Sequence, residues 1–224
     1  MPASEVPRMR SLGVVVSGSL LVVAFVAFGA IAVFTPVGQW VDVHLYGLTV
    51  RHTPGVLAQG ADRLAREVLL VGGPAVAALL GLVALVRGRW RNVLGAALVG
   101  VVVPAVWALR GALPRPDFGV GAYPYNTFPS THVAIVAVSC WAIWLCWPTG
   151  RRSWVPWTLV GIVVLALFGN VANHAHMPAD GLGSLLLTGG VGLLACTLVG
   201  LDPLSPTTGA KRQPESEPVG VITR

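Results

Sequence analysis

The chain has 224 residues, of which 54% are hydrophobic and 11% charged, with a formal net charge of +6. A mean hydropathy of +0.74 excludes a soluble domain, and several apolar runs reach the roughly 20 residues that a helix needs to cross about 30 Å of hydrocarbon. The runs do not alternate as the strands of a membrane β-barrel do, so the expected class is all-α, a polytopic membrane protein with a bundle of six transmembrane helices.

In chain order, residues 1–11 are polar and basic and are expected to form a cytoplasmic N-terminus. An apolar run follows from about Leu12 to Phe34. It exceeds the 7–15 residues usual for the core of a signal peptide, so it is expected to remain as the first span. Residues 36–66 are mixed. Val41, Leu45 and Leu48 recur at helical spacing, which predicts an amphipathic segment lying at the interface, with His44 and His52 facing solvent or headgroups.

The second span is expected from about Val68 to Val86, ending at the basic cluster Arg87–Arg91. The third is expected from about Val93 to Leu109 with Pro104 inside it, and the fourth from about Val133 to Trp147. The fifth runs from about Trp154 to Val171 and the sixth from about Gly181 to Leu201. The membrane domain is thus residues 12–201. Residues 202–224, rich in Pro, Thr, Ser and Glu, are expected to be a disordered cytoplasmic tail.

The basic residues sit in short loops and form no stripe, so nucleic acid is not an expected partner. Arg8 and Arg10, Arg87–Arg91, Arg151 and Arg152, and Lys211 and Arg212 fall on one side, which the charge rule makes the cytoplasm of a cell membrane. Trp90, Trp147 and Trp154 mark the same boundary. The three cysteines, Cys140, Cys146 and Cys196, lie inside apolar runs, with neither a disulfide pattern nor a metal-ligand spacing.

On the opposite, extracytoplasmic face this topology brings together two polar stretches. The first runs from Arg110 through Arg115-Pro116 to Pro129-Ser130-Thr131-His132; the second is Asn173 to Asp180. Ser130 or Thr131 is placed to cap the fourth span, leaving free backbone N–H groups and a positive dipole end as an anion site. His132 lies in that first turn, suited to deliver a proton. His176 and Asp180 are four apart, with Pro178 suited to an early helix position. A carboxylate on one imidazole nitrogen fixes the tautomer and makes the other a better nucleophile. Arg115 offers a planar fork suited to phosphate oxygens. Taken singly, each feature also fits a helix cap, a satisfied interfacial pair or a headgroup-binding arginine. Together they suit metal-free phosphoryl transfer with no cofactor, one histidine attacking phosphorus and the other protonating the departing oxygen.

The order of these residues resembles the type 2 phosphatidic-acid phosphatase family, the integral-membrane lipid phosphate phosphatases. That family reads Lys, six residues, Arg-Pro; then Pro-Ser-Gly-His; then Ser-Arg, five residues, His, three residues, Asp. Here Arg115-Pro116 matches the end of the first motif, Pro129-Ser130-Thr131-His132 the second apart from Thr131, and His176 and Asp180 the end of the third, over about residues 65–200. The resemblance implies His176 as the nucleophile of a phosphohistidine, Asp180 as its orienting group and His132 as the general acid on the leaving group. It implies Arg115, Ser130 and the nearby N–H groups as phosphate holders.

The chain departs from the family at three places. Ala108 stands at the lysine position, Gly169-Asn170 at Ser-Arg, and Thr131 at the glycine. Arg110 and Asn170 are the candidate replacements for the missing cations. The implied substrate is a polyprenyl or glycerolipid phosphate or pyrophosphate. The alternative is a catalytically weakened relative that binds lipid phosphate or serves as a membrane partner protein.

Overall fold

The structure, a computed structural model, describes residues 6–121, 123, 125–148 and 154–202, with side chains from residue 12 onward. The charges at residues 8, 10, 151, 152, 211 and 212 and the tail after residue 202 lie outside what is described. The described residues are helical, joined by irregular segments. Helices α1 (Val6–Phe34), α2 (Pro36–His52) and α3 (Gly55–Arg63) come first. A π-helical turn, Leu64–Val68, follows and continues into α4 (Leu69–Val86). Then come α5 (Trp90–Gly100), α6 (Val102–Ala112), α7 (Thr131–Cys146), α8 (Trp154–Ala172) and α9 (Pro178–Leu198).

Among the described residues five helices are long and apolar enough to cross a membrane: Leu12–Phe34, Gly55–Val86, Trp90–Ala112, Trp154–Ala172 and Pro178–Leu198. This marks a membrane protein, with one fewer long apolar helix than the six expected. The difference is α7, which has 16 residues and is about 24 Å long at 1.5 Å per residue. It packs against α4, α5, α6, α8 and α9, so it is the central post of the bundle. Its interior positions Val133, Ala134, Val136, Cys140 and Cys146 are buried.

One expected boundary is corrected. The second span does not start near Val68. One continuous helical segment runs from Gly55, because nothing between Gly55 and Val68 breaks it and the π turn absorbs a single register change, the Leu69 N–H reaching the Leu64 carbonyl. The third expected span lies within the apolar stretch Trp90–Ala112, which is interrupted at Val101 between α5 and α6. Pro104 has no N–H to offer the Gly100 carbonyl, so the regular ladder stops there.

The segment expected to be amphipathic does present two distinct faces. Val41, Leu45 and Leu48 point outward, while Gln39 and Asp42 on the other face of α2 are buried. Leu57, Leu64 and Val68 likewise face out, and Ala61 and Ala65 face in. In an apolar surrounding the favourable side for apolar residues is outside, and polar groups gain by facing each other inside. His44 and His52 are exposed.

Close approach between helices is bought with small residues. A Cβ at Gly190 of α9 would come 2.9 Å from the Gly18 carbonyl oxygen of α1, the geometry of small-residue packing between membrane helices. At one end of the bundle Arg89 caps α7. Its Nη1 donates to the Trp147 carbonyl at 2.6 Å and its Nη2 to the Leu145 carbonyl at 3.1 Å, while Asn92 Nδ2 also donates to Leu145 at 2.7 Å. The polar stretches therefore meet at the other end, where α7 and α9 begin.

Candidate active site

Helix α9 opens with Pro178 at its first position, where the missing N–H is not needed. Asp180 sits in that first turn, and its Oδ2 accepts from the Met177 N–H at 3.0 Å. The same oxygen faces His176 Nδ1 at 3.2 Å, with both side chains buried. An ionised carboxylate there makes Nδ1–H the donor and leaves the lone pair on Nε2. The turn before it is closed by the Asn170 carbonyl at the end of α8, which accepts from the Ala175 and His176 N–H groups at 3.0 and 3.2 Å.

Helix α7 begins at Thr131 with Ser130 as its N-cap, the Ser130 hydroxyl accepting from the Val133 N–H at 3.4 Å. The two helix starts are tied together. Ser130 N–H donates to the Asp180 carbonyl at 2.9 Å, and the Ser184 hydroxyl is shared between the Ser130 and Asp180 carbonyls at 2.8 and 3.0 Å. This fixes the half-buried His132 opposite His176. His132 Nδ1 stands 3.3 Å from His176 Nε2, with the rings 5.5 Å apart and steeply inclined. Asp180, His176 and His132 thus form one continuous relay from a buried carboxylate toward the surface.

The expected phosphate holders are distributed differently around this relay. Arg115 comes to Asp180, but from behind. Its Nη1 lies 3.8 Å from Asp180 Oδ1 and its Nη2 3.5 Å from Asp42 Oδ2, with a side chain that is 1% exposed. Asn170 is buried, and its side-chain amide donates back to the Ala166 carbonyl at 2.7 Å. Arg110 Nε donates to the Asn126 carbonyl at 3.4 Å, and Asn126 in turn bonds both polar backbone groups of Phe128. Thr131 Oγ1, beside His132, is buried without a hydrogen-bond partner. His174 is not part of the relay: it adopts φ 58°, its ring bonds the Tyr46 hydroxyl, and its carbonyl accepts from the Tyr123 hydroxyl at 2.7 Å. Burial, and then neighbouring Tyr46, push the Tyr123 hydroxyl well above the usual tyrosine range.

Two groups at the site escape a reading of the sequence. Asp42 of α2 accepts from the Ala179 N–H at 2.8 Å, so it caps α9 from a distant part of the chain while pairing with Arg115. Burial raises its pKa to about 6, against the pull of the Ala179 N–H and Arg115. Its only signal was its place on one helical face with Gln39, whose amide donates to the Pro116 carbonyl at 2.9 Å and holds the Arg115-Pro116 segment. The second group is the pair Asp62 and Arg66, which meet at 2.9 Å within electrostatic reach of His132. Opposite charges four residues apart at the entry to an apolar helix were the available sign of it. Among the described residues no three His, Cys, Asp or Glu side chains converge as a metal-ion site.

No protein-family model, no curated protein and no solved structure matches the chain. The functional reading rests on the residues of this site.

Proposed function

We propose that the protein is a metal-independent membrane phosphatase that hydrolyses a phosphomonoester or pyrophosphate of a lipid, of the polyprenyl or glycerolipid class, through a phosphohistidine. The observation that carries this reading is the relay in which Asp180 orients His176 and His176 faces His132. In the first half-reaction His176 Nε2 attacks phosphorus, the bond from phosphorus to the lipid oxygen breaks, and His132 gives that oxygen its proton. In the second, water attacks the phosphohistidine while His132 takes a proton from it, and inorganic phosphate leaves. The first-turn N–H groups of α7 and the unpartnered Thr131 hydroxyl are placed to receive the charge that develops on the phosphoryl oxygens.

The present 3.3 Å gap between the two rings accommodates a shared proton but not a phosphoryl group. Reacting atoms stand about 3–3.5 Å apart in a near-attack geometry, so phosphorus between the two nitrogens needs about twice that separation. His132, the less buried of the two, is the ring that moves outward on binding.

The reading includes six spans, with α7 as the short central one, and the site at the extracytoplasmic face. The basic cluster Arg87–Arg91 at the other end of α7 supports that orientation by the charge rule. A lipid substrate is supported by a cavity of about 540 Å³ between α7, α8 and α9, lined by Ala137, Trp141, Leu159, Val163 and Leu185 among others. Its walls are apolar and it begins little more than a helical turn along α7 from His132. The similarity to type 2 phosphatidic-acid phosphatases in the order of Arg115, His132, His176 and Asp180 supports the same chemistry.

Rapid acid-free quenching of the purified protein with a radiolabelled lipid phosphate tests the reading. The expected result is label bound to the protein that is labile to acid, stable to alkali and missing from His176→Ala. Label of equal amount on His176→Ala would exclude the phosphohistidine.

A further inference from the structure

Three arginines act on the relay, Arg115 through Asp180 and Arg66 and Arg110 electrostatically on His132, and their surroundings differ. Arg115 is enclosed by two carboxylates, and turning it toward a substrate would leave Asp42 and Asp180 buried without a counter-charge. Arg110 lies at the end of α6 and is held to the Asn126 carbonyl. Arg66 is the least committed. Its side chain is 35% exposed and touches Asp62 through Nε alone, and although the two atoms lie 2.9 Å apart they fail hydrogen-bond alignment. Both Nη groups of Arg66, the planar fork suited to two phosphate oxygens, have no protein partner among the described residues.

Arg66 is also held in register with the catalytic turn. It sits on the π-helical turn, an irregularity that recurs at functional sites. The helix leading into that turn presses on α8 at Gly169, where an added Cβ would meet the Ala61 carbonyl oxygen at 2.6 Å and Ala65 Cβ at 2.9 Å. The next residue, Asn170, supplies the carbonyl that holds the His176 N–H. A short chain of contacts therefore connects the backbone of the π turn to the backbone of the nucleophile, and both Asp62 and Arg66 act electrostatically on His132.

We infer that Arg66 holds the substrate phosphate, its guanidinium exchanging Asp62 for phosphoryl oxygens when the lipid phosphate binds. This rests on the phosphatase reading and deepens it. A cation delivered from the preceding helix takes the place of one that Asn170, buried and bonded to its own helix, does not supply. Asp62 keeps the unliganded guanidinium from wandering and neutralises it in an apolar setting. Binding then exchanges one anion for another at the guanidinium, and the Asp62 left behind, with a side chain 25% exposed, stays in reach of water, unlike the buried partners of Arg115.

The test uses Arg66→Gln, with Arg63→Gln as the control. Arg63 lies on the same helix, is 78% exposed and pairs with Glu67 at 3.7 Å. Phosphate release from lipid phosphates is measured together with protection by orthovanadate, a phosphate mimic, in a thermal-shift assay that needs no turnover. Arg66→Gln is expected to lower kcat/KM by about 100-fold or more and to abolish vanadate protection. Arg66→Lys should recover only part of either, and Arg63→Gln should match wild type. Arg66→Gln that behaves like Arg63→Gln in both assays overturns the inference and leaves the phosphatase reading standing. No release from wild type, with vanadate protection that Arg66→Gln loses, would sink the phosphatase reading and keep the inference. Absence of vanadate protection in wild type overturns the inference, and together with no release from wild type it overturns both. Should Arg66→Gln fail to fold, Asp62→Asn decides: freeing Arg66 should tighten vanadate binding several-fold, and unchanged or weaker binding overturns the inference.

Discussion

Arg115 and Asp180 face each other at 3.8 Å with both side chains 1% exposed, and Asp42 closes the other side of the same guanidinium at 3.5 Å. The arginine of the first polar stretch thus acts on the relay carboxylate from behind. Breaking a buried ion pair by removing one partner costs about 3–5 kcal/mol, because the remaining charge is left uncompensated. Arg115→Met is expected to be destabilised on that scale, with two carboxylates orphaned, as read from denaturant or thermal unfolding in detergent.

Asp180→Asn separates orientation from charge. The asparagine side chain can still accept from the Met177 N–H, so α9 keeps its cap, but it no longer dictates that His176 Nδ1 carries the proton. Loss of the orienting carboxylate from such a relay lowers turnover on the order of 10⁴-fold. Single-turnover phosphate release compared with wild type measures it, and unfolding temperature within a few degrees of wild type shows that the helix start survives.

Asp42 makes stability depend on pH in a defined window. Its pKa rises to about 6 in the folded protein from the model-peptide value of 3.8, with burial the largest cause. The folded state therefore holds a proton that the unfolded chain has released across that interval. The stabilising contribution is full below pH about 4 and is lost as pH rises through about 6. The difference in unfolding temperature between wild type and Asp42→Asn should change across that window and be flat above pH 7. A difference independent of pH would mean that Asp42 does not titrate there.

Gly169 reports on the packing that carries the π turn. Valine there places its Cβ 2.6 Å from the Ala61 carbonyl oxygen, which is backbone and cannot swing away. Overpacking of this kind costs about 1–3 kcal/mol. Gly169→Val is expected to lose that much stability and to lose phosphate release disproportionately, since Arg66 moves with the displaced helix. Release per folded molecule, against Gly169→Ala as the smaller step, measures the second effect.

The two ends of the relay were legible because their signals are local. Ser130 before an apolar run, Pro178 at a helix start and the four-residue step from His176 to Asp180 each fix backbone and side chain within a single turn. What escaped was tertiary or environmental. Val41, Leu45 and Leu48 define an apolar stripe, but a stripe alone does not say what the opposite face packs against, so the burial of Asp42 against the start of α9 did not follow from it. The Gly55–Val86 helix was expected to start near Val68 because Asp62, Arg63, Arg66 and Glu67 break the apolar run. In the fold those charges pair with one another along the helix and let it continue. The burial of Arg115 had no local sign, since its partners lie 73 and 65 residues away in the numbering of the chain.

The most direct measurement is phosphate release by the purified protein from a panel of polyprenyl and glycerolipid phosphates with EDTA present, His176→Ala and His132→Ala being run beside wild type. The account predicts EDTA-resistant release that both substitutions abolish. Release that persists in His176→Ala, or no release from wild type on any lipid phosphate, would contradict it.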